Sequence, residues 1–390
     1  MRLVDICEFF SDEGGGVKTY VHHKLEECAK SGVKCTIIAP AAEDRREQRL
    51  GGDVIWVKSP TLPFDHRYFL FNDSNPVHSL LDELKPTVVE GSSTWKGAWI
   101  ARSWRGNALK TLFLHQDPVA VYPHSLLGPK ISEDALDALF FWFWQYMRRL
   151  AKGFGGIVVG GQHFADRLVR FGLPEPAVIP LGVEKHSFSP LLRSEKRRVE
   201  MLTACGVTNR DAPLFVVVSR HHPEKRIKML IDAFSTIRRD REAALYVVGD
   251  GPSWRSVHAR ASNAEGVSIA GPVSDRSEVA EIMSSADYLL HGGAAETFGI
   301  VIAEALCSGL PIIIPDRGGA VDFSGASHAE VYRAGDAKAC AAAINRMLAR
   351  DRKTMAKAAF DASAYVKAPK EHFVALLEHY ERLARNAPVA

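Results

Sequence analysis

The chain has 390 residues, 46% of them hydrophobic and 24% charged, with a formal net charge of +3. That length exceeds one ordinary hydrophobic core and points to two domains, while the small net charge gives no argument for a nucleic-acid partner. The six cysteines (Cys7, Cys28, Cys35, Cys205, Cys307 and Cys340) form no C-x-x-C pair, so neither a zinc site nor a redox motif is signalled, and reduced core thiols fit the cytosol.

The first ten residues have no long apolar stretch and run into Ser11, Asp12 and Glu13, unlike a secretory signal. No run approaches the ~20 apolar residues of a membrane span. The expected location is the cytoplasm, with the option of resting on the inner face of the cell membrane. Apolar runs at 3–6, 35–39, 54–57, 88–90, 111–115, 157–159 and 177–180 read as strands, and 17–31 as a helix. A polar, irregular stretch at 184–190 marks a boundary. Beyond it, strands at 214–219, 244–249, 267–270, 288–291, 312–315 and 331–333 alternate with helices at 227–238, 254–262, 275–285 and 336 to about 350. This rhythm predicts an α/β protein of two Rossmann-like, doubly wound domains, 1–182 and 183–365, facing each other across a cleft. A C-terminal helical segment, 366–390, is free to pack back on either.

Ligands bind at the carboxyl ends of strands in such sheets, so the strand-end motifs carry the chemistry. Gly14, Gly15 and Gly16 follow the first strand and open a helix. Glycine lets backbone N–H groups approach a phosphate or sugar, though a tight turn explains the same residues. His115 ends a strand of the first half. Ser219, Arg220, His221, His222, Pro223, Glu224 and Lys225 follow the first strand of the second half. Arginine's planar fork and lysine's mobile charge suit a diphosphate; a solvated basic loop is the plainer alternative. Val248 to Pro252 reads as a simple turn, and Pro272 and Val273 as a strand-end turn able to offer backbone groups to a base. His221, His222 and His291 rank below His115.

The richest stretch runs from Glu296 to Glu304. Residues 299–308 read as a buried helix stopped by Gly309. Glu296 lies in the loop before that helix and Glu304 about one turn inside it. The helix's first N–H groups lie between them and can hold an anion. Two hydroxyl-binding ends around an anionic middle match a nucleotide sugar. No D-x-D pair offers a carboxylate clamp for Mg²⁺, so no metal is expected. No G-x-S-x-G elbow supports a serine hydrolase.

Two stretches raise the question of a membrane. Residues 140–152 combine Phe140, Phe141, Trp142, Phe143 and Trp144 with Arg148, Arg149 and Lys152; a membrane face and a buried helix are the two readings. Residues 59–71 form an aromatic, proline-broken loop that either lines an acceptor site or is simply packed.

Together these residues resemble the family 4 retaining glycosyltransferases of GT-B fold, over nearly the whole chain. The likeness rests on the early glycines, on 179–183 with Phe188 and Pro190, on Arg220 with Glu224 and Lys225, on 248–252, and on the E-x7-E pair Glu296/Glu304. Two departures, Ser219-Arg220-His221 for G-R-L and Leu181 in P-N-G-V, remove no charged contact. The resemblance implies that Glu304 holds the donor ribose and Glu296 the sugar hydroxyls. Arg220, Lys225 and the N–H groups of Phe298, Gly299 and Ile300 would take the diphosphate, approached by Gly15 and Gly16 from the first domain. His115 would lie near the reacting centre. It implies a hexosyl transfer without metal or other cofactor, keeping the anomeric configuration by front-face attack. A UDP-sugar is the first donor implied and GDP-mannose the alternative. The acceptor implied is a membrane lipid such as diacylglycerol, with lipopolysaccharide or exopolysaccharide precursors as alternatives. A non-catalytic sugar-nucleotide-binding protein is a further reading.

Overall fold

Strands buried on both faces need apolar residues at every position rather than at alternate ones. The computed structural model, which describes residues 1–12, 16–62, 65–124 and 133–386, bears this out in its central strands. The chain divides into two compact units: Met1–Gln116 with Phe140–Pro180 and Pro369–Ala390, and Asp117–Leu139 with Leu181–Ala368. The segment 117–139 thus groups with the second unit, although chain order sets it within 1–182.

The first unit holds strands β1 (Arg2–Ile6), β2 (Lys34–Ala41), β3 (Arg45–Arg49), β4 (Gly52–Lys58), β5 (Thr61–Leu62), β6 (Asp65–Phe69), β7 (Val88–Gly91), β8 (Leu109–Leu114), β9 (Gly156–Val159) and β10 (Ala177–Val178). Eight of them form one sheet in the order β10-β9-β8-β7-β1-β2-β4-β3. All pairs in it are parallel except β3 with β4. The sequence reading missed β3 because Arg45–Arg49 has no apolar residue. A charged edge strand is a common protection against aberrant pairing, and this one is held by side chains. Glu47 accepts from Trp56 Nε1 at 2.7 Å, and the Arg45 guanidinium lies 4.5 Å from the Trp56 ring. The aromatic stretch 59–71 contains the small antiparallel pair β5–β6.

The helix Pro369–Asn386 belongs to this unit and buries His372, Phe373, Leu376, Leu377 and Tyr380. Its anchor is a buried charge cluster. Lys24 donates to Asp5 Oδ2 and Glu90 Oε1, both at 2.7 Å. Ser92 donates to Asp5 at 2.6 Å, and Tyr380 to Glu90 at 2.6 Å. Burial opposes every charge here. At Asp5 it wins and raises the carboxyl pKa; at Glu90, Lys24 outweighs it and holds the carboxylate below its usual range.

The second unit is built on β11 (Leu214–Val218), β12 (Ala244–Val248), β13 (Val267–Gly271), β14 (Tyr288–Leu290), β15 (Ile312–Pro315) and β16 (Ala329–Tyr332), all parallel, in the order β13-β12-β11-β14-β15-β16. Alternate residues enter two separate cores. Val216, Leu289 and Ile314 face one, and Phe215, Leu290 and Ile313 the other. Helices cover both faces, as the continuous apolar runs demand. The strand order reverses between β11 and β14, which makes the carboxyl ends of those two strands the switch point where open α/β sheets bind ligands. Two helices that the sequence reading left unassigned, Glu195–Ala204 and Arg352–Ala362, carry capping side chains: Ser194 accepts from Arg197 N, and Asp351 from Thr354 N.

Replacing Lys24 with Met should cost ~3–5 kcal/mol, because it strands two buried carboxyls without their cation. The check is a fall in the denaturant midpoint of the unit-1 transition at unchanged slope; a midpoint like that of the native chain would show that the cluster is not needed for stability.

Candidate functional site

After β11 the chain runs through Ser219–His222 into a short 3-10 turn, Pro223–Lys225, and then enters the helix Ile227–Arg238 through Arg226 at φ 49. The turn after β12 lies directly on this loop. His221 N donates to Asp250 O at 2.7 Å, and Ser253 N to His221 O at 2.8 Å. Gly249 makes the approach possible: it sits at φ 133, and a Cβ there would lie 1.9 Å from Ser219 O. The stretch 248–252 is therefore a turn, as its sequence says, but one shaped to hold the Arg220 loop. Arg220 itself is exposed, its stem close against Gly251.

Beside it, β14 is followed by buried His291. Lys225 Nζ donates to Glu296 Oε1 and stands 3.7 Å from Glu224 Oε1. His291 Nε2 lies 3.6 Å from Glu296 Oε1 and 3.2 Å from Gly293 O. A carbonyl only accepts, so Nε2 carries the proton and donates to it. Burial pushes the His291 pKa down to about 4, leaving the ring neutral near pH 7. Burial pushes Glu296 the other way, but the Lys225 cation outweighs it and holds the carboxylate below its usual range. For Lys225 burial favours the neutral amine, and Glu296 with Glu224 overcomes this. The result is an ionised pair. The loop carrying it is fixed by backbone: Gly319 N donates to Glu296 O at 2.6 Å, and a Cβ at Gly319 would lie 2.7 Å from Phe298 N.

The second carboxylate is on the helix Ile300–Cys307, entered through Gly299 at φ 100. Phe298 is buried, its ring 5.1 Å from Phe323. Glu304 is also buried, and Arg276 Nη2 donates to its Oε1. Burial raises the Glu304 pKa, with Arg276 pulling against it. Arg276 follows Asp275, which caps the helix Arg276–Ser285. Sequence reasoning passed over Arg276. Its signal was position: it follows the strand-end turn of Pro272 and Val273 at the carboxyl end of β13. Gly271 O accepts from Gly249 N at 2.8 Å, which ties that turn to the one after β12.

The structure thus gathers Arg220, Lys225, Pro272, Val273, Glu296, Phe298, Gly299, Ile300 and Glu304 at the carboxyl ends of one sheet, and adds His291 and Arg276. Gly16 and His115 belong to the first unit, and Gly15 lies outside the described residues. Gly16 opens the helix Gly16–Lys30. His115 follows β8, with its ring stacked on Phe113 at 4.2 Å and edge-on to Tyr20 at 4.7 Å. This desolvation pushes its pKa down to about 3.

Most of residues 140–152 lie on one helix, Phe141–Ala151, which has a buried side and an exposed side. Phe143, Trp144, Met147 and Leu150 are buried. Phe141 is 47% and Trp142 62% exposed, and the Arg148 guanidinium lies 5.0 Å from the Phe141 ring. Arg149 and Lys152 are exposed. Among the described residues no helix is long and apolar enough to cross a membrane.

Two family models match the chain in tandem: Glycosyltransferase Family 4 over residues 14–186, and Glycosyl transferases group 1 over residues 212–350. The chain is 25% identical over 316 residues to a GDP-mannose-dependent alpha-(1-6)-phosphatidylinositol dimannoside mannosyltransferase of Mycobacterium tuberculosis, covering 80% of this chain and 79% of that one. It is 26% identical over 337 residues to a GDP-mannose-dependent alpha-mannosyltransferase of the same species, covering 83% and 81%. Sucrose-phosphate synthase from Thermosynechococcus elongatus shares the fold, with a TM-score of 0.79 at 17% identity over 99% of this chain and 100% of that one.

Replacing Gly249 with Ala forces a methyl group onto Ser219 O in a backbone region that side chains rarely adopt. The expected cost is about 1–3 kcal/mol of local stability, with the Arg220 loop displaced. Amide exchange at His221 and Ser253 should accelerate in the variant; unchanged protection there would show that the two loops do not depend on each other.

Proposed function

We propose, for a chain that belongs to the family 4 glycosyltransferases of GT-B fold and is a hexosyltransferase, a metal-free transfer of a hexose from a nucleoside-diphosphate sugar to a hydroxyl of a membrane lipid, with retention at the anomeric carbon. The observation that carries the reading is the pair of carboxylates, Glu296 and Glu304, each bonded to its own cation, on either side of the start of the helix Ile300–Cys307. Glu296 holds hydroxyls of the sugar. Its charge is already shared with Lys225, which weakens it as a nucleophile and suits it to positioning. Glu304 holds the ribose. Lys225, Arg220 and the first N–H groups of the helix meet the diphosphate as its bond to the sugar breaks. The departing phosphate oxygen takes the acceptor's proton. Burial keeps His115 of the first unit neutral.

The sequence resemblance puts a UDP-sugar first as donor. The names of the two mycobacterial relatives support a second reading, GDP-mannose, and the first of them also supports a lipid acceptor. Thermal shift with UDP and with GDP separates the two donors, since a ligand of the folded state raises the apparent Tm. The transfer is tested with UDP-hexoses and GDP-mannose, lipid extract and EDTA, following nucleoside diphosphate release and the anomeric configuration of the product. Glu296→Gln should lower kcat/KM about 10- to 100-fold, the loss of a charge-assisted hydrogen bond. Loss of turnover with EDTA would overturn the metal-free step, and an inverted product the retaining one.

The exposed aromatic-basic face of the helix Phe141–Ala151 supports seating on an anionic bilayer. In flotation with phosphatidylglycerol–phosphatidylcholine vesicles, the native chain should rise with the lipid. The Phe141→Ser/Trp142→Ser and Arg149→Glu/Lys152→Glu variants should remain at the bottom; flotation of both variants would reject this face as the contact.

A further inference from the structure

The bond between Arg276 and Glu304 joins two unlike environments: the arginine side chain is 54% exposed and the carboxylate 4%. The bond uses Oε1 alone. The guanidinium also lies 5.0 Å from the Phe188 ring, a second contact besides the carboxylate. Neighbouring charges leave the pair intact. Asp275 accepts from Ser277 N at 2.9 Å in its cap, and Arg197 draws Glu278 and Glu281 at 3.2 and 3.1 Å. Glu184 faces Glu304 and opposes its ionisation, while Lys185 acts on Cys307 at the end of the same helix. Asp322 lies on the 3-10 turn Gly319–Phe323, which packs against that helix.

We propose that Arg276 is a positioning residue for the transfer: by holding Oε1 it sets the Glu304 carboxylate so that Oε2 accepts from the ribose hydroxyls of the donor. This rests on Glu304 being the ribose holder. A diol donates two hydrogen bonds and needs an acceptor that is ionised and fixed in direction. A buried carboxyl deprived of its cation takes a proton instead. Burial already raises the Glu304 pKa and Arg276 opposes the rise, so losing the arginine moves it further up. Since the ionised form binds, affinity is lost as pH falls through that pKa, and the loss begins at higher pH without Arg276.

The experiment titrates UDP and GDP into the native chain and into Arg276→Gln, Arg276→Lys and Glu304→Gln between about pH 5 and pH 8.5, where carboxyls with raised pKa titrate. Arg276→Gln should bind about threefold more weakly than the native chain at the alkaline end, where Glu304 is ionised but no longer held in direction. Its acid loss of affinity should begin about one pH unit higher, leaving it about tenfold weaker again in between. Arg276→Lys should restore the native profile. Glu304→Gln should bind weakly throughout and lack that titration. Affinity in Arg276→Gln that is unchanged, or lowered equally at every pH, overturns the inference while leaving Glu304 its role. A Glu304→Gln variant that binds like the native chain overturns the ribose reading and the inference with it.

Discussion

A half-buried carboxylate at the end of a parallel strand must be met by a cation or lose its charge, and the Lys225–Glu296 pair answers that requirement. It forms because the strand order reverses between β11 and β14, which sets two loops far apart in sequence side by side. Main chain, rather than the mobile lysine stem, fixes their distance. Gly292, whose Cβ would lie 2.4 Å from Lys225 O, lets the β14 loop close on the β11 loop. The pair therefore gives direction to Glu296 as well as charge. His291 stays neutral beside it and donates to Gly293 O, so it adds geometry without adding a second positive charge.

The first unit solves a related problem with the opposite exposure. Lys24, Asp5 and Glu90 have almost no access to water, and their stability depends on complete hydrogen bonding. Tyr380 supplies the bond to Glu90 Oε2 from a helix close to the C-terminus. A helix distant in sequence therefore completes the core of the unit to which the N-terminus belongs. His372 on the same helix bridges Tyr20 and the carbonyl of Pro180, at 3.2 and 2.8 Å, so the attachment is polar along its length as well as apolar.

The fold was legible in the sequence where burial on both faces writes continuous apolar runs, as in β11 and β15. It was illegible where the stabilising pattern is not apolar: Arg45–Arg49 forms a strand through an edge position and through Trp56, and neither leaves a periodic trace. The candidate site divides the same way. Glu296, Glu304, Arg220 and Lys225 stood out because strand ends and a helix start give charged residues a place. His291 was visible but ranked low, since nothing local says that its ring faces Glu296. Arg276 had only its place after a strand-end turn to mark it, because its partner lies 28 residues away and the contact depends on the packing of two helices.

The two cation–carboxylate pairs differ in a way that bears on their work. Lys225 is half-buried and reaches Glu296 from the loop after β11, whereas Arg276 reaches Glu304 from solvent at the end of β13. A pair enclosed on both sides resists reorganisation, which suits the end of a ligand where bonds change and small displacements are costly. A pair with one solvent-facing member keeps its direction while its cation stays within reach of water, which suits an end that is gripped and then released. In the proposed reaction the sugar sits at the pair whose two members are both partly enclosed, and the ribose at the pair whose cation faces solvent.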